Sequence, residues 1–183
     1  MRTLELRRHT MRTKPGQHLS QAGVDLARLV GSRIGPFDRV ITSPVTRAFE
    51  TALAMGFAVD EQVDDLSAMP EDAEDEVGSW DAGFAAWARA VKKGGAAARY
   101  GQTLADLYRR IAGALPEGGA ALIISHGGIV EAGAVVCLPQ ADHESWGPYC
   151  RCCEGIRLEY VDGDFTGAKE FDRLRHLHRR VVG

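Results

Sequence analysis

Residues 120–130 read AALIISHGGIV, and this stretch decides the class of fold. Its first five residues form a continuous apolar run, which is typical of a β-strand buried on both faces of a sheet. The polar residues SHGG then end the strand, and the apolar sequence that follows predicts a helix. A buried strand that continues through a short polar turn into a helix is the unit from which α/β sheets are built.

Two earlier segments repeat this strand-to-helix pattern. Residues 3–8 alternate between apolar and polar side chains and predict a strand, and residues 20–33 place apolar side chains on one helical face. Residues 40–42 predict a second strand. Ser43 and the proline after it predict the start of the next helix, because a hydroxyl caps a helix and proline suits its first position; Gly56 predicts its end.

The remaining segments predict a less regular order of elements. Residues 62–80 are acidic and predict a loop or a short insertion, and helical spacing returns at residues 84–91. Thr103 and Asp106 resemble a capping box at the start of another helix. A last strand is predicted over about residues 153–161. We therefore predict an α/β fold of three layers, with a mostly parallel sheet and helices on both faces.

Length and composition indicate one globular domain over residues 1–183. The hydrophobic fraction of 45% and the charged fraction of 26% are ordinary for a soluble protein. The formal net charge of -3 argues against a nucleic-acid partner, which would favour a basic surplus. The N-terminus lacks the apolar segment of a secretory signal, and no apolar run is long enough to span a membrane. We expect a cytoplasmic protein without a membrane partner; its oligomeric state stays open.

The four cysteines are then expected to remain reduced. Cys150, Cys152 and Cys153 lie close together, but the second well-spaced pair that a zinc site needs does not follow them. We expect these thiols to pack in or beside the last predicted strand rather than to bind a metal.

Side chains that can bind or attack a phosphate group lie where the three predicted strands end. They are Arg8, His9, Ser43, Arg47 and His126. The carboxyl ends of parallel strands meet at one edge of a sheet, where α/β proteins bind their ligands. Arginine matches phosphate oxygens with a planar pair of donors, and a neutral imidazole attacks phosphorus to form a covalent intermediate. A second imidazole, if protonated, would stabilise the phosphoryl oxygens, so the two histidines need different protonation states.

Three motifs carry these residues in a fixed order along the chain. They are Arg8-His9, SPVTRAFETA at residues 43–52 and ISHGGIV at residues 124–130. Together they resemble the histidine phosphatase superfamily, which has the fold of cofactor-dependent phosphoglycerate mutases. Residues 175–177 (RHL) are similar to the terminal segment of that family.

The resemblance implies a role for each motif residue. His9 is the expected phosphate acceptor, and His126 is the second histidine of the pocket. Arg8 and Arg47 are the expected phosphate clamps, and Ser43 is the motif serine at the helix start. No metal and no other cofactor is implied, because the arginines already supply positive charge.

The expected substrate-binding residues are Thr10, Arg12, Ser43, Gly127 and Asp72. Thr10 replaces the glycine that usually follows the first histidine of the family, and its hydroxyl is a possible donor. Arg12, with Gln17 and His18 nearby, is a candidate for the polar residue that the family usually has a few positions later.

The resemblance leaves the identity of the general acid open. The family commonly places a glutamate soon after the third strand, and Ala68 stands at that position here. Glu71 and Asp72 are the expected replacements, with Asp65 behind them. Without an acid, poor leaving groups would react ~10²–10⁴-fold more slowly, whereas phosphoramidates would be affected little.

The sequence thus predicts a metal-independent phosphatase acting on phosphate esters or phosphoramidates through a phosphohistidine on His9. The expected partner is a small phosphorylated substrate or a phosphoprotein. Two alternatives stay open. One is a mutase on the same fold, which is less expected because mutases generally carry longer insertions; the other is a phosphate-binding regulatory module with weak turnover.

Overall fold

We describe residues 1–170 in a computed structural model of the chain. Its strands are β1 (Arg2–Arg8), β2 (Arg39–Thr42), β3 (Glu61–Gln62), β4 (Ala120–Ser125), β5 (Gly155–Val161) and β6 (Asp164–Glu170). Its helices are α1 (Gln21–Gly31), α2 (Thr46–Met55), α3 (Glu71–Val77), α4 (Phe84–Lys92), α5 (Ala96–Ala114) and α6 (Ile129–Cys137), with a 3₁₀ helix at Asp64–Leu66. The RHL sequence at residues 175–177 lies outside the described residues.

The six strands form one sheet in the order β3-β2-β4-β1-β5-β6. The first four are mutually parallel, whereas β5 runs antiparallel to β1 and β6 antiparallel to β5. In the parallel register Arg8 lies opposite Ser125, and Thr42 lies opposite Ile124. The carboxyl ends of β1, β2 and β4 therefore meet at one edge, as the sequence predicted.

The two faces of β4 explain its unbroken apolar run. Ala121 and Ile123 pack into the layer formed by α3, α4, α5 and α6, and Leu122 and Ile124 pack into the layer of α1 and α2. All four side chains are buried. The predicted three-layer α/β architecture is thus confirmed, and its central strand is apolar because helices cover both faces.

The polar residues of β1 are paired rather than solvated. Glu5 and Arg7 are both buried, and Arg7 Nε donates to Glu5 Oε1 at 2.6 Å. From the neighbouring β5, Arg157 Nη2 donates to Glu5 Oε2 at 2.6 Å. Each carboxylate oxygen thus receives a charged donor, which offsets the cost of burying the charges.

Two local predictions were wrong because tertiary contacts decide them. Helix α2 begins at Thr46 rather than beside Ser43, whose hydroxyl is directed to His126. Thr103 lies inside α5, which begins at Ala96. The amides of Ala96 and of the next residue donate to the carboxylate of Glu76, at 2.7 and 2.9 Å. This cap comes from a distant segment and leaves no local signature.

Some elements, among them α3 and β6, were not predicted. The acidic segment at residues 62–80 contains α3, whose single buried residue, Ala73, leaves little helical apolar pattern. Strand β6 follows the turn at Asp162, so β5 is not the last strand. No helix within residues 1–170 has both the length and the apolar character needed to cross a membrane.

Candidate active site

The three strand ends enclose a cavity of about 530 Å³. Its lining combines cations and imidazoles with apolar walls, namely Arg8, His9, Thr10, Met11, Arg12, Lys14, Arg47, Trp80, His126, Gly127 and Cys152. The structure thus brings together the arginines and histidines of the three motifs. A cavity with this lining is suited to an anion larger than phosphate alone.

The ring of His9 is held by one hydrogen bond at each nitrogen. Arg47 Nε donates to His9 Nε2 at 3.0 Å, so Nε2 must carry a lone pair. Nδ1 lies 2.6 Å from the carbonyl oxygen of Thr10, which only accepts, so Nδ1 carries the proton. These two contacts assign the neutral tautomer with its nucleophilic nitrogen at Nε2.

Burial is the main reason that His9 stays neutral. It lowers the pKa of His9 from 6.5 to about 4, against the bond to Thr10, and the charges of Arg47, Arg8 and Arg12 lower it further. At neutral pH the ring is therefore neutral, with Nε2 unprotonated.

The second imidazole, His126, sits edge-on to the first, with ring centroids 5.1 Å apart. Its Nε2 lies 2.9 Å from the hydroxyl of Ser43, and its buried Nδ1 has no hydrogen-bond partner among the residues described. Burial lowers the pKa of His126 to about 3, and His9, Arg47 and Arg8 act in the same direction. Both histidines are thus neutral at pH 7, so the charged second imidazole expected from the sequence requires a nearby anion.

Arg8 approaches the cavity with one of its donors uncommitted. Its Nη1 donates to the carbonyl of Cys150 at 2.9 Å, whereas its buried Nε has no partner within the described part of the chain. The guanidinium carbon lies 4.6 Å from the centroid of a Trp80 ring, a cation–π distance. A Cβ on Gly127 would lie 2.7 Å from Trp80, so glycine allows this stacked pair to form beside His126.

Arg47 enters from the first turn of α2. Besides its bond to His9, its Nη1 donates to Gln17 Oε1 at 2.5 Å. Burial lowers the pKa of Arg47, followed by the charges of Arg12 and Arg8, although an arginine remains charged at neutral pH. Three guanidinium groups thus lie close enough to influence one another, which favours an anion between them.

Thr10 and Arg12 have different positions relative to the cavity. The hydroxyl of Thr10 donates to the carbonyl of Gly23 at 3.0 Å, and its amide donates to Thr51 Oγ1 at 3.1 Å, so its polar groups are used within the fold. Arg12 lines the cavity, and its Nη1 donates to the carbonyls of Pro15 and Gly16.

The structure does not bring the expected acids to His9. Within residues 1–170, none of the side chains lining the cavity is a carboxylate. Glu71 and Asp72 are exposed on the first turn of α3, and Asp72 lies 3.8 Å from Arg99 of α5. Asp72 lines a separate hollow with Asp65. The reason is packing, because Ala73 is buried against the core and α3 lies along α5.

Sequence reasoning missed one buried acid beside the site. Glu131 of α6 is fully buried, and its two oxygens accept the amides of Gly128 and Cys150, at 2.7 and 2.6 Å. The available signal was one acidic residue in the first turn of an otherwise apolar helix. Trp80 also lines the cavity and stacks on Arg8.

No group of three or more histidine, cysteine or acidic side chains able to hold a metal occurs in the described residues. Cys150 and Cys153 are buried free thiols, and Cys152 is half-buried at the cavity wall. The cationic side chains that line the cavity are Arg8, Arg12, Lys14 and Arg47.

A family model for the histidine phosphatase superfamily (branch 1) matches residues 2–172. The chain therefore belongs to this superfamily. No protein of known, curated function matches it in sequence.

Several solved structures have the same fold at low sequence identity. A phosphoserine phosphatase from Entamoeba histolytica, in complex with 3-phosphoglyceric acid, has a TM-score of 0.65 and 17% identity, over 95% of this chain and 100% of that one. A phosphoglycerate mutase from Bacillus anthracis has a TM-score of 0.66 and 15% identity, over 99% and 96%. The protein histidine phosphatase SixA, complexed with tungstate, has a TM-score of 0.56 and 16% identity, over 92% and 96%.

Proposed function

We propose that this member of the histidine phosphatase superfamily is a metal-independent phosphatase that works through a phosphohistidine on His9. The observation that carries the proposal is the state of the His9 ring. It is neutral, its Nδ1 proton is held by the Thr10 carbonyl, and its Nε2 lone pair faces the guanidinium of Arg47. An imidazole held in this way is a ready nucleophile beside an anion site.

The reaction has two displacements at phosphorus. First, the Nε2 lone pair of His9 forms a bond to phosphorus while the bond between phosphorus and the leaving group breaks. The leaving group keeps the electron pair of the broken bond and takes a proton from solvent. Water then attacks the phosphorus, the N–P bond breaks and returns its electrons to Nε2, and the water loses a proton. Phosphate and neutral His9 are the products.

The surrounding groups stabilise the charge of the phosphoryl group. Arg47 transfers its donors from His9 to the phosphoryl oxygens and so frees Nε2 for attack. Arg8 offers its uncommitted Nε, and Nδ1 of His126 is a further buried group without a partner in the described residues. A phosphate dianion also raises the pKa of His126, because it offsets the positive charges that lower it.

Among residues 1–170, no carboxylate lines the cavity, which supports a restriction on the leaving group. Without a protonated acid at hand, departure is easiest for groups that need little protonation, such as aryl phosphates, or for phosphoramidates. We therefore propose small phosphorylated molecules or phosphoproteins of these classes as substrates. The same observation favours, as a second candidate, a phosphate-binding module with slow turnover.

Hydrolysis of p-nitrophenyl phosphate in the presence of a chelator tests the proposal. Wild-type protein should release p-nitrophenol, and rapid denaturation without acid should trap phosphate on His9. His9→Ala should lose both the trapped phosphate and turnover. Phosphate that remains on His9→Ala, or that maps to a serine or cysteine, would refute the mechanism.

The same assay separates the alternatives. Adding a sugar phosphate should leave the release of free phosphate unchanged for a phosphatase, whereas transfer to the sugar would identify a mutase. Tight binding of tungstate without hydrolysis would identify the binding module.

A further inference from the structure

We propose that Glu131 is a positioning residue that holds Arg8 in the phosphate site, an inference that rests on the proposed phosphatase function. Its carboxylate joins the start of α6 to the loop that carries Cys150. Through the Cys150 carbonyl it fixes the direction of the Arg8 guanidinium.

The contacts of Glu131 form a continuous path to Arg8. Glu131 Oε1 accepts the amide of Cys150 at 2.6 Å, and the carbonyl of the same Cys150 accepts Arg8 Nη1 at 2.9 Å. The carboxylate is fully buried, so water cannot replace these bonds without opening the core. Arg8 in turn holds the same loop through its backbone, because its amide donates to the Glu154 carbonyl at 2.9 Å and its carbonyl accepts the Cys153 amide at 3.1 Å.

The other oxygen of Glu131 binds the turn that follows His126. Oε2 accepts the amide of Gly128 at 2.7 Å, two residues after His126. One side chain therefore sets the spacing between the β4 end, which carries His126, and the loop that anchors Arg8. A carboxylate suits this position because it accepts at both ends, whereas a glutamine offers one acceptor and would leave one amide unpaired.

The charge of Glu131 allows positioning to be distinguished from a through-space electrostatic role. Burial raises the pKa of Glu131, whereas the backbone amides that it accepts and the charge of Arg8 favour the carboxylate. In that form, its negative charge near Arg8 disfavours an anion in the same pocket. If Glu131 acted only through its charge, Glu131→Gln would strengthen anion binding. A residue that positions Arg8 has the opposite effect, because the guanidinium loses its fixed direction when the Cys150 loop loses its anchor.

Tungstate binding, measured by calorimetry, and the hydrolysis of p-nitrophenyl phosphate test this inference in a double-mutant cycle. We expect Glu131→Gln to weaken tungstate binding on the order of tenfold and to lower kcat/KM with it. Arg8→Ala should weaken binding about tenfold to hundredfold. In the Arg8→Ala background, Glu131→Gln should have no further effect, because the residue through which it acts is gone.

Glu76 provides a control for the loss of a carboxylate that accepts two backbone amides, although its side chain is exposed whereas that of Glu131 is buried. Its carboxylate also accepts two backbone amides from another element, those of Ala96 and Ala97, but it does not line the cavity. Glu76→Gln should lower the Tm and leave tungstate affinity and kcat/KM unchanged. If Glu131→Gln does not fold, Glu131→Asp keeps the charge, shortens the reach and should still weaken binding in the wild-type background only.

The outcomes separate this inference from the proposed function. Wild-type protein that hydrolyses substrate while Glu131→Gln or Glu131→Asp binds tungstate as well as, or better than, wild type would overturn the positioning role alone. Equal losses with and without Arg8 would also overturn it, as a general structural effect. Wild-type protein that neither binds tungstate nor hydrolyses substrate would overturn both.

Discussion

At the scale of single residues, two hydrogen bonds and burial decide what His9 can do. The Thr10 carbonyl selects the tautomer, Arg47 locates the lone pair, and burial removes the proton. None of these effects alone makes a nucleophile. An exposed histidine with the same tautomer would be partly protonated near pH 6.5.

Titration of the histidines by NMR tests this description. In the free protein, His9 should stay neutral down to an apparent pKa near 4, with its proton on Nδ1. Arg47→Gln should raise that apparent pKa, because it removes a positive charge and opens the site to water. Because His9 and His126 interact, the values belong to the pair. Titration near 6.5, unchanged in Arg47→Gln, would contradict the proposed site.

At the scale of elements, the packing of α3 determines where the acidic residues lie. The helix buries Ala73 and lies along α5, and its acidic first turn is exposed. Its Glu76 caps α5 by accepting the amides of Ala96 and Ala97. The acidic segment therefore has a structural contact that its composition did not reveal.

This placement predicts the behaviour of two carboxylate variants. Glu71→Gln and Asp72→Asn should each change the hydrolysis of alkyl and aryl phosphates by less than about twofold, whereas loss of a general acid costs ~10²–10⁴-fold. Rates on the two substrate classes should be compared, with His9→Ala as the inactive control. A loss confined to alkyl phosphates would mean that α3 brings a carboxylate to the leaving group during the reaction.

At the scale of the whole molecule, the two pocket histidines link stability to pH. Unfolding returns both rings to a pKa near 6.5, whereas folding lowers that of His9 to about 4 and that of His126 to about 3. At pH values between the folded and the unfolded pKa of each ring, the unfolded chain binds more protons than the folded chain. The contribution of the two histidines to the free energy of unfolding is therefore complete above pH 6.5 and is lost as the pH drops toward 4.

Urea unfolding at several pH values measures this linkage. Each histidine that stays neutral contributes a slope of at most about 1.4 kcal/mol per pH unit in the window below pH 6.5. A His9→Gln, His126→Gln double variant should show a flatter dependence than wild type between pH 6.5 and about 4. Subtracting the slope of the double variant from that of wild type cancels the contribution of the carboxylates, which both proteins share. Identical slopes would show that the rings are not held neutral by the fold.

The sequence by itself determined the layers of the fold and the position of the pocket. An apolar β4 has to be covered on both faces, and the parallel order brings Arg8, Arg47 and His126 to one edge. These features depend on local pattern and on the geometry of parallel sheets, which a single sequence records.

Only the tertiary structure decided the contacts between distant segments. Glu76 caps α5 across 20 residues, and the hydroxyl of Ser43 meets His126 instead of capping α2. Glu131 binds the amide of Cys150, 19 positions further along the chain, and α3 keeps Glu71 away from the cavity lining. Hydrogen bonds and burial of this kind depend on distances in space. Local periodicity contains no information on these distances, so the position of His9 at the end of β1 was predictable from the sequence whereas the contacts that surround it were not.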